Sequence, residues 1–202
     1  MRKMLKLFKA KRLNKHAADP KSKPEEIIRT LGLKPGDIVA DIGAGGGYFT
    51  LRFADIVGES GRVYAVDVEE AFLKFIAEAA KKRRLNNVVT VPVKNKLPLP
   101  RKGLDLVFMR NVTHHLSNRI GYFSELKEFL KDSGKVVIID YGAESKTVRF
   151  LPFWGKPGHY IPRERLIQEM SAAGYVLIQD FDFLSEQHFT IYSQRPKGKV
   201  DD

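Results

Sequence analysis

The run Val39-Ala40-Asp41-Ile42-Gly43-Ala44-Gly45-Gly46-Gly47-Tyr48-Phe49 constrains this chain more than any other stretch. An apolar strand ends on an acid, a glycine-rich turn follows, and a helix opens at Tyr48. Glycine weakens any regular element that contains it, so four glycines in five positions belong where backbone turns sharply and a ligand approaches closely. The acid narrows the ligand. A loop built to cradle phosphate does not usually begin with a carboxylate, whereas a loop that holds an ammonium or sulfonium group can.

The rest of the chain alternates strand and helix around this stretch. Pro24–Leu31 is predicted helical, with proline and acids in its first turn and Gly32 at its end. Ile38–Ile42 is the first strand and Tyr48–Val57 the next helix. Arg62–Val66 is a second strand ending at Asp67, and Glu69–Arg84 a helix with Phe72, Phe75 and Ile76 inward. Val88–Val93 and Leu104–Met109 are further strands. Ser117 is expected to cap a helix running to about Lys131, before a fifth strand over Lys135–Asp140. The apolar runs are continuous rather than alternating, as in parallel strands covered on both faces. After the long segment Tyr141–Pro162 and a helix over Arg163–Ala173, Tyr175–Phe183 and His188–Gln194 form a hairpin. The expectation is an α/β fold, a doubly wound, mostly parallel seven-stranded sheet ending in an antiparallel pair.

Charge divides the chain differently. The formal net charge is +11, yet residues 1–24 alone hold nine Lys or Arg against one acid, Asp19, and so contribute +8. Residues 1–23 are accordingly expected to be a basic extension, and residues 24–202 a single domain. Within the extension Met1, Met4, Leu5, Phe8 and Leu13 fall near one helical face with lysines between. Three readings stay open: a basic amphipathic helix on an anionic surface, a helix folded over the ligand site, or a solvated terminus. There are no cysteines, which excludes disulfides, thiolate zinc sites and cysteine nucleophiles and fits a reducing compartment. With no apolar run near the roughly 20 residues that cross a bilayer, the expected location is cytoplasmic, with peripheral membrane attachment through residues 1–23 left open. The five histidines, at 16, 114, 115, 159 and 188, show no metal-ligand spacing, so no metal is expected.

In open α/β sheets a ligand sits at the carboxyl ends of the strands. Asp41, the glycines, Asp67, Lys94-Asn95 and Arg110-Asn111 all follow such ends and are expected to line one crevice. A carboxylate about 20 residues after the glycine turn suits a ribose diol, so the ligand is expected to contain a nucleoside. The dinucleotide fingerprint needs glycine where Tyr48 stands, and the phosphate loop needs Gly-Lys-Ser/Thr, which is absent.

The pattern Asp41-x-Gly43-x-Gly45-x-Gly47 with Asp67 resembles the class I S-adenosylmethionine-dependent methyltransferases. The likeness runs from about residue 25 to 195. It includes Leu97-Pro98-Leu99-Pro100, Leu104-Asp105-Leu106-Val107, Asn111-Val112-Thr113-His114-His115 and Ser133-Gly134-Lys135-Val136. The subgroup it resembles is the type 11 group, similar to the ubiquinone and menaquinone biosynthesis enzymes. The resemblance implies S-adenosylmethionine as cofactor. It assigns Asp41, Gly43, Ala44, Gly45, Gly47, Tyr48 and Phe49 to the methionine side, Asp67 to the ribose and Val68 to the adenine. Lys94, Asn95, Arg110 and Asn111 complete the expected cofactor set. Where the family often carries Asp-Ala before the Leu-Pro loop, this chain has Val93-Lys94-Asn95.

Methyl transfer is an in-line displacement in which the protein aligns the acceptor and excludes water. A base is needed only if the acceptor loses a proton, and the candidates are His114, His115 and Tyr141. Adjacent helical side chains point apart, so at most one histidine is expected to face the site. Trp154, His159 and Tyr160 in the long segment are the expected acceptor contacts. The leading expectation is methyl transfer to a small or lipid-like acceptor. A methyltransferase for RNA or protein docking through the basic terminus, and a non-catalytic cofactor-binding module, are the alternatives.

Overall fold

The computed structural model describes residues 2–93, 97–142, 145 and 160–196. The strands β1 (Ile38–Ile42), β2 (Arg62–Asp67), β3 (Val88–Pro92), β4 (Leu104–Arg110), β5 (Leu130–Tyr141), β6 (Tyr175–Phe181) and β7 (Gln187–Gln194) form one sheet in the order β3-β2-β1-β4-β5-β7-β6. β1, β2 and β3 pair in parallel, and β7 runs antiparallel to both β5 and β6. This is the expected mostly parallel α/β sheet with its antiparallel finish. The described helices are α1 (Arg2–Ala17), α2 (Pro24–Leu31), α3 (Tyr48–Val57), α4 (Glu70–Lys82), α5 (Arg119–Leu126) and α6 (Arg163–Ala172). Contacts divide the chain into two compact units, Met1–Pro100 with Leu104–Phe108, and Arg101–Gly103 with Met109–Asp202.

In the first unit the buried run of β1 is covered by α3, which turns Phe49, Phe53, Ala54 and Val57 inward. The rings of Phe49, Phe53 and Phe108 meet with centroids 4.9–5.8 Å apart. From α4, Phe72, Leu73, Ile76 and Ala80 are buried. The parallel register sets Asp41 opposite Ala65 and Asp67 opposite Pro92, so both acids reach the carboxyl edge of their strands.

α1 packs on α3 and α4. Ala10, Leu13, Asn14 and Ala17, spaced i, i+3, i+4 and i+7, are its buried or half-buried positions, while Met4, Leu5 and Phe8 are exposed. This corrects the single-face reading of the extension. At about 100° per residue Leu13 lies roughly 140° around the helix from Phe8, and it packs beside Gly45. The Lys6 ammonium pairs with the Glu69 carboxylate at 2.8 Å, and the Lys9 ammonium lies 5.9 Å from the Phe72 ring centroid.

The second unit differs from expectation between Ser117 and Lys135. Phe123, Leu126 and Leu130 keep helical spacing and are buried, which is why the sequence predicts a helix to about Lys131. The helix instead starts at Arg119, capped by the Asn118 side chain, and stops at Leu126. The carbonyls of Glu128 and Phe129 accept from Lys102 and Gly103 at 2.9 and 3.0 Å. Those carbonyls are spent outside the helix, and the chain becomes β5 at Leu130.

Asn14 accepts from the Tyr48 N–H at 3.0 Å, whereas Gly47, the residue before α3, has no side chain to cap it. Asn14→Ala therefore removes a cap delivered from another helix. Loss of about 1 kcal/mol is expected, together with faster hydrogen exchange over residues 4–17, measured by mass spectrometry at matched stability.

Candidate active site

The glycine loop is shaped from within and clamped from outside. Gly43, Gly45 and Gly47 have φ of 76°, 55° and 82°, left-handed values that favour glycine. Gly46 is there for another reason: a Cβ on it would collide with the Ala10 carbonyl and the Asn14 side chain of α1. The close approach foreseen at the glycine run is thus met, at Gly46, by the N-terminal helix. The N–H groups of Gly43 and Ala44 both donate to the Val66 carbonyl, at 2.8 and 3.1 Å.

Asp67 organises the loop. One carboxylate oxygen accepts from Gly45 N–H and the other from Glu69 N–H, each at 2.9 Å. Its carboxyl is raised by burial against the pull of these backbone bonds. Val68, beside it, is 79% exposed. Asp41 is buried beneath the loop and accepts from the Thr50 hydroxyl at 2.5 Å. Burial pushes its carboxyl up to about 7; the Thr50 hydrogen bond opposes the rise and the Asp67 charge adds to it. Tyr48 is half-buried, with its hydroxyl 3.2 Å from the Arg52 guanidinium. The Phe49 ring lies in the core, so the loop shares only its backbone.

In the second unit the ends of β4 and β5 meet. Asn111, at φ 55°, donates its N–H to the Ile139 carbonyl at 2.8 Å. Gln187 accepts from the Arg110 guanidinium at 3.3 Å and donates to the Asn111 side chain. Asp140 is fully buried. Its carboxylate accepts from His114 Nδ1 at 2.7 Å, from the Thr113 hydroxyl, from His114 N–H at 3.3 Å and from Tyr141 N–H at 2.9 Å. Burial pushes this carboxyl up, but the hydrogen bonds and charge from His114 and the Thr113 bond outweigh it and hold the carboxyl below its usual range. The His114 side chain is 2% exposed, and His115 is exposed.

The two histidine rings do not point apart. Residues Thr113–His115 form a tight 3-10 turn, and the ring centroids lie 4.1 Å apart. Tyr141 is buried, and burial pushes its hydroxyl up against the lowering effect of the Arg110 charge. Tyr160 is half-buried, and the next N–H, of Ile161, donates to the Tyr141 carbonyl at 3.1 Å. Lys94, Asn95, Trp154 and His159 lie outside the described residues. Sequence reasoning assigned nothing to Asp140 or Gln187. The signal for Asp140 was present, since it ends an apolar run as Asp41 and Asp67 do; nothing local marked Gln187. Among the described residues no group of His, Asp and Glu is placed to hold a metal ion.

Comparison with known proteins decides the family. The family described as "Methyltransferase domain" matches residues 40–138. A methyltransferase structure from Aquifex aeolicus, dependent on S-adenosylmethionine, is 28% identical with a TM-score of 0.77, covering 89% of this chain and 95% of that one. The chain belongs to the class I S-adenosylmethionine-dependent methyltransferases, in the type 11 group. Among curated relatives, the ubiquinone/menaquinone biosynthesis C-methyltransferase UbiE of Cupriavidus taiwanensis is 28% identical over 118 residues, 56% of this chain and 47% of the relative. UbiE of Shewanella piezotolerans is 26% identical over 161 residues, 77% of this chain and 59% of the relative. The matched stretch thus spans about half the length of these curated relatives.

S-adenosylmethionine is the family's cofactor, and the first unit fits it. The Asp67 carboxylate with the bare aliphatic surface of Val68 beside it matches a ribose diol next to a purine face. Asp41, buried beneath the loop, is an acid, which a sulfonium group suits and a phosphate does not.

Two outcomes follow from the acids. The folded state keeps a proton on Asp41 that the unfolded chain releases near pH 4, at about the ordinary carboxyl value. The stability this contributes falls as pH rises from about 4 towards about 7. Asp41→Asn should flatten that slope, so the wild type loses melting temperature relative to the variant over this window. Asp140 has the opposite sign, a depressed carboxyl whose contribution is lost as pH falls. Asp140→Asn should cost about 3 kcal/mol at neutral pH by breaking a buried charge network, checked by urea unfolding.

Proposed function

We propose that this protein transfers the methyl group of S-adenosylmethionine to a small, lipid-like acceptor of the quinone class, at a ring carbon or oxygen. The observation that carries the cofactor half is Asp67 tying the left-handed glycine loop to the start of α4. The acceptor half is supported by the likeness to the ubiquinone and menaquinone C-methyltransferases.

The cofactor, when bound, supplies an electrophilic methyl carbon on a sulfonium sulfur. The residues of the chain do the rest. Asp67 would take the ribose hydroxyls on the lone pairs its two backbone partners leave free. Asp41, buried beneath the loop, would favour binding of a ligand that carries a positive sulfur. Transfer would form the acceptor–methyl bond and break the methyl–sulfur bond, whose electron pair would stay on sulfur, so that S-adenosylhomocysteine would be the second product. The proton released by a ring carbon or hydroxyl goes to the histidine pair: exposed His115 receives it, and His114, fixed on Asp140, sets its ring against His115. Arg110 and Asn111, joined through Gln187, hold the turn at the end of β4.

Incubation with methyl-labelled S-adenosylmethionine and short-chain quinols or phenols should label the acceptor. His115→Asn should lower kcat about 10²-fold with affinity for S-adenosylhomocysteine unchanged. Intact cofactor binding with no label on any such acceptor would sink the acceptor reading, and an unchanged kcat in the variant would remove His115 as base.

A further inference from the structure

α1 presents two faces, and among the described residues one of them is packed on the protein while the other is exposed. The inner face is fixed at several points: Ala10 is fully buried against Gly46, Asn14 takes the Tyr48 N–H, and Lys6 pairs with Glu69. The outer face carries Met4, Leu5 and Phe8, 71%, 73% and 73% exposed. At about 100° per residue these three fall within one third of the helix circumference. Exposed Lys11, Arg12 and Lys15 continue the same stripe over the next turns. Residues 1–24, at +8, supply most of the chain's net charge of +11. A helix whose inner face is already docked has no reason within its own fold to keep three large apolar side chains in water. Their cost is offset if something outside takes them up.

We propose that the outer face of α1 docks onto an anionic phospholipid surface, with Met4, Leu5 and Phe8 entering the acyl boundary and Lys11, Arg12 and Lys15 meeting the headgroups. A nucleic acid would satisfy the cations and leave the apolar trio in water; a bilayer surface takes both. No described helix is long and apolar enough to cross a membrane, so the contact is a surface one. Because the same helix clamps Gly46 and caps α3, lipid binding presses on the helix that shapes the cofactor loop. The surface contact stands apart from the acceptor's identity, since pure phospholipid contains no acceptor.

The test is flotation of the full chain with vesicles of phosphatidylcholine alone or with about 30% phosphatidylglycerol. The wild type should bind the anionic vesicles at least about tenfold better than the neutral ones. Lys11→Gln with Lys15→Gln should erase that preference, and Leu5→Ser with Phe8→Ser should abolish the binding that persists at high salt. Both variants should keep the wild-type melting temperature and S-adenosylhomocysteine affinity, since their side chains touch neither the loop nor its clamps. Wild type remaining with the solution, or serine variants binding as well as wild type, would overturn the proposal. So would binding to single-stranded RNA that the serine variants leave intact, or a wild-type dimer that they dissolve.

Discussion

One carboxylate holds the first unit in register. Asp67 ends β2 and spends one oxygen on Gly45 N–H and the other on Glu69 N–H. The first bond fixes the glycine loop; the second fixes the residue that caps α4. Glu69 in turn holds Lys6, so the N-terminal helix is tethered to the same point. A buried acid is costly unless its oxygens are occupied, and backbone donors at a strand end and a helix start are the cheapest partners in reach. The loop, α4 and α1 are therefore all tied to one carboxylate.

The second unit repeats the device with different partners. Asp140 ends the apolar run of β5 and gathers the Thr113 hydroxyl, the His114 ring and two backbone N–H groups. Where Asp67 fixes the glycine loop, Asp140 fixes a turn that carries the histidines. The difference shows in their carboxyls: Asp140, with side-chain donors, is held low, while Asp67 and Asp41, with fewer, are raised by burial.

Local signals made most of the framework legible. α2, β1 and α3 occupy the residues their apolar spacing and glycine or proline punctuation mark out. α5 failed because Phe123, Leu126 and Leu130 keep helical spacing while the carbonyls after Leu126 are taken by Lys102 and Gly103. The contact between the His114 and His115 rings was not foreseen because His114 is held by Asp140, 26 positions away, and helical geometry alone sets neighbouring side chains apart. Leu13 was placed on the wrong face because apolarity alone does not say which side of a helix has a partner.

Composition and spacing by themselves determined the sheet, its antiparallel ending and the acids at strand ends. These rest on contacts a few residues apart or on periodicities that any core imposes. The class of cofactor came from the resemblance that Asp41-x-Gly43-x-Gly45-x-Gly47 and Asp67 carry. The docking of α1 was decided only in three dimensions, and with it the reason for Gly46, the capping of α3 by Asn14 and the joining of Arg110 to Asn111 by Gln187. Each pairs residues more than 30 positions apart, and one sequence carries no signal for a bond whose two ends it does not bring together.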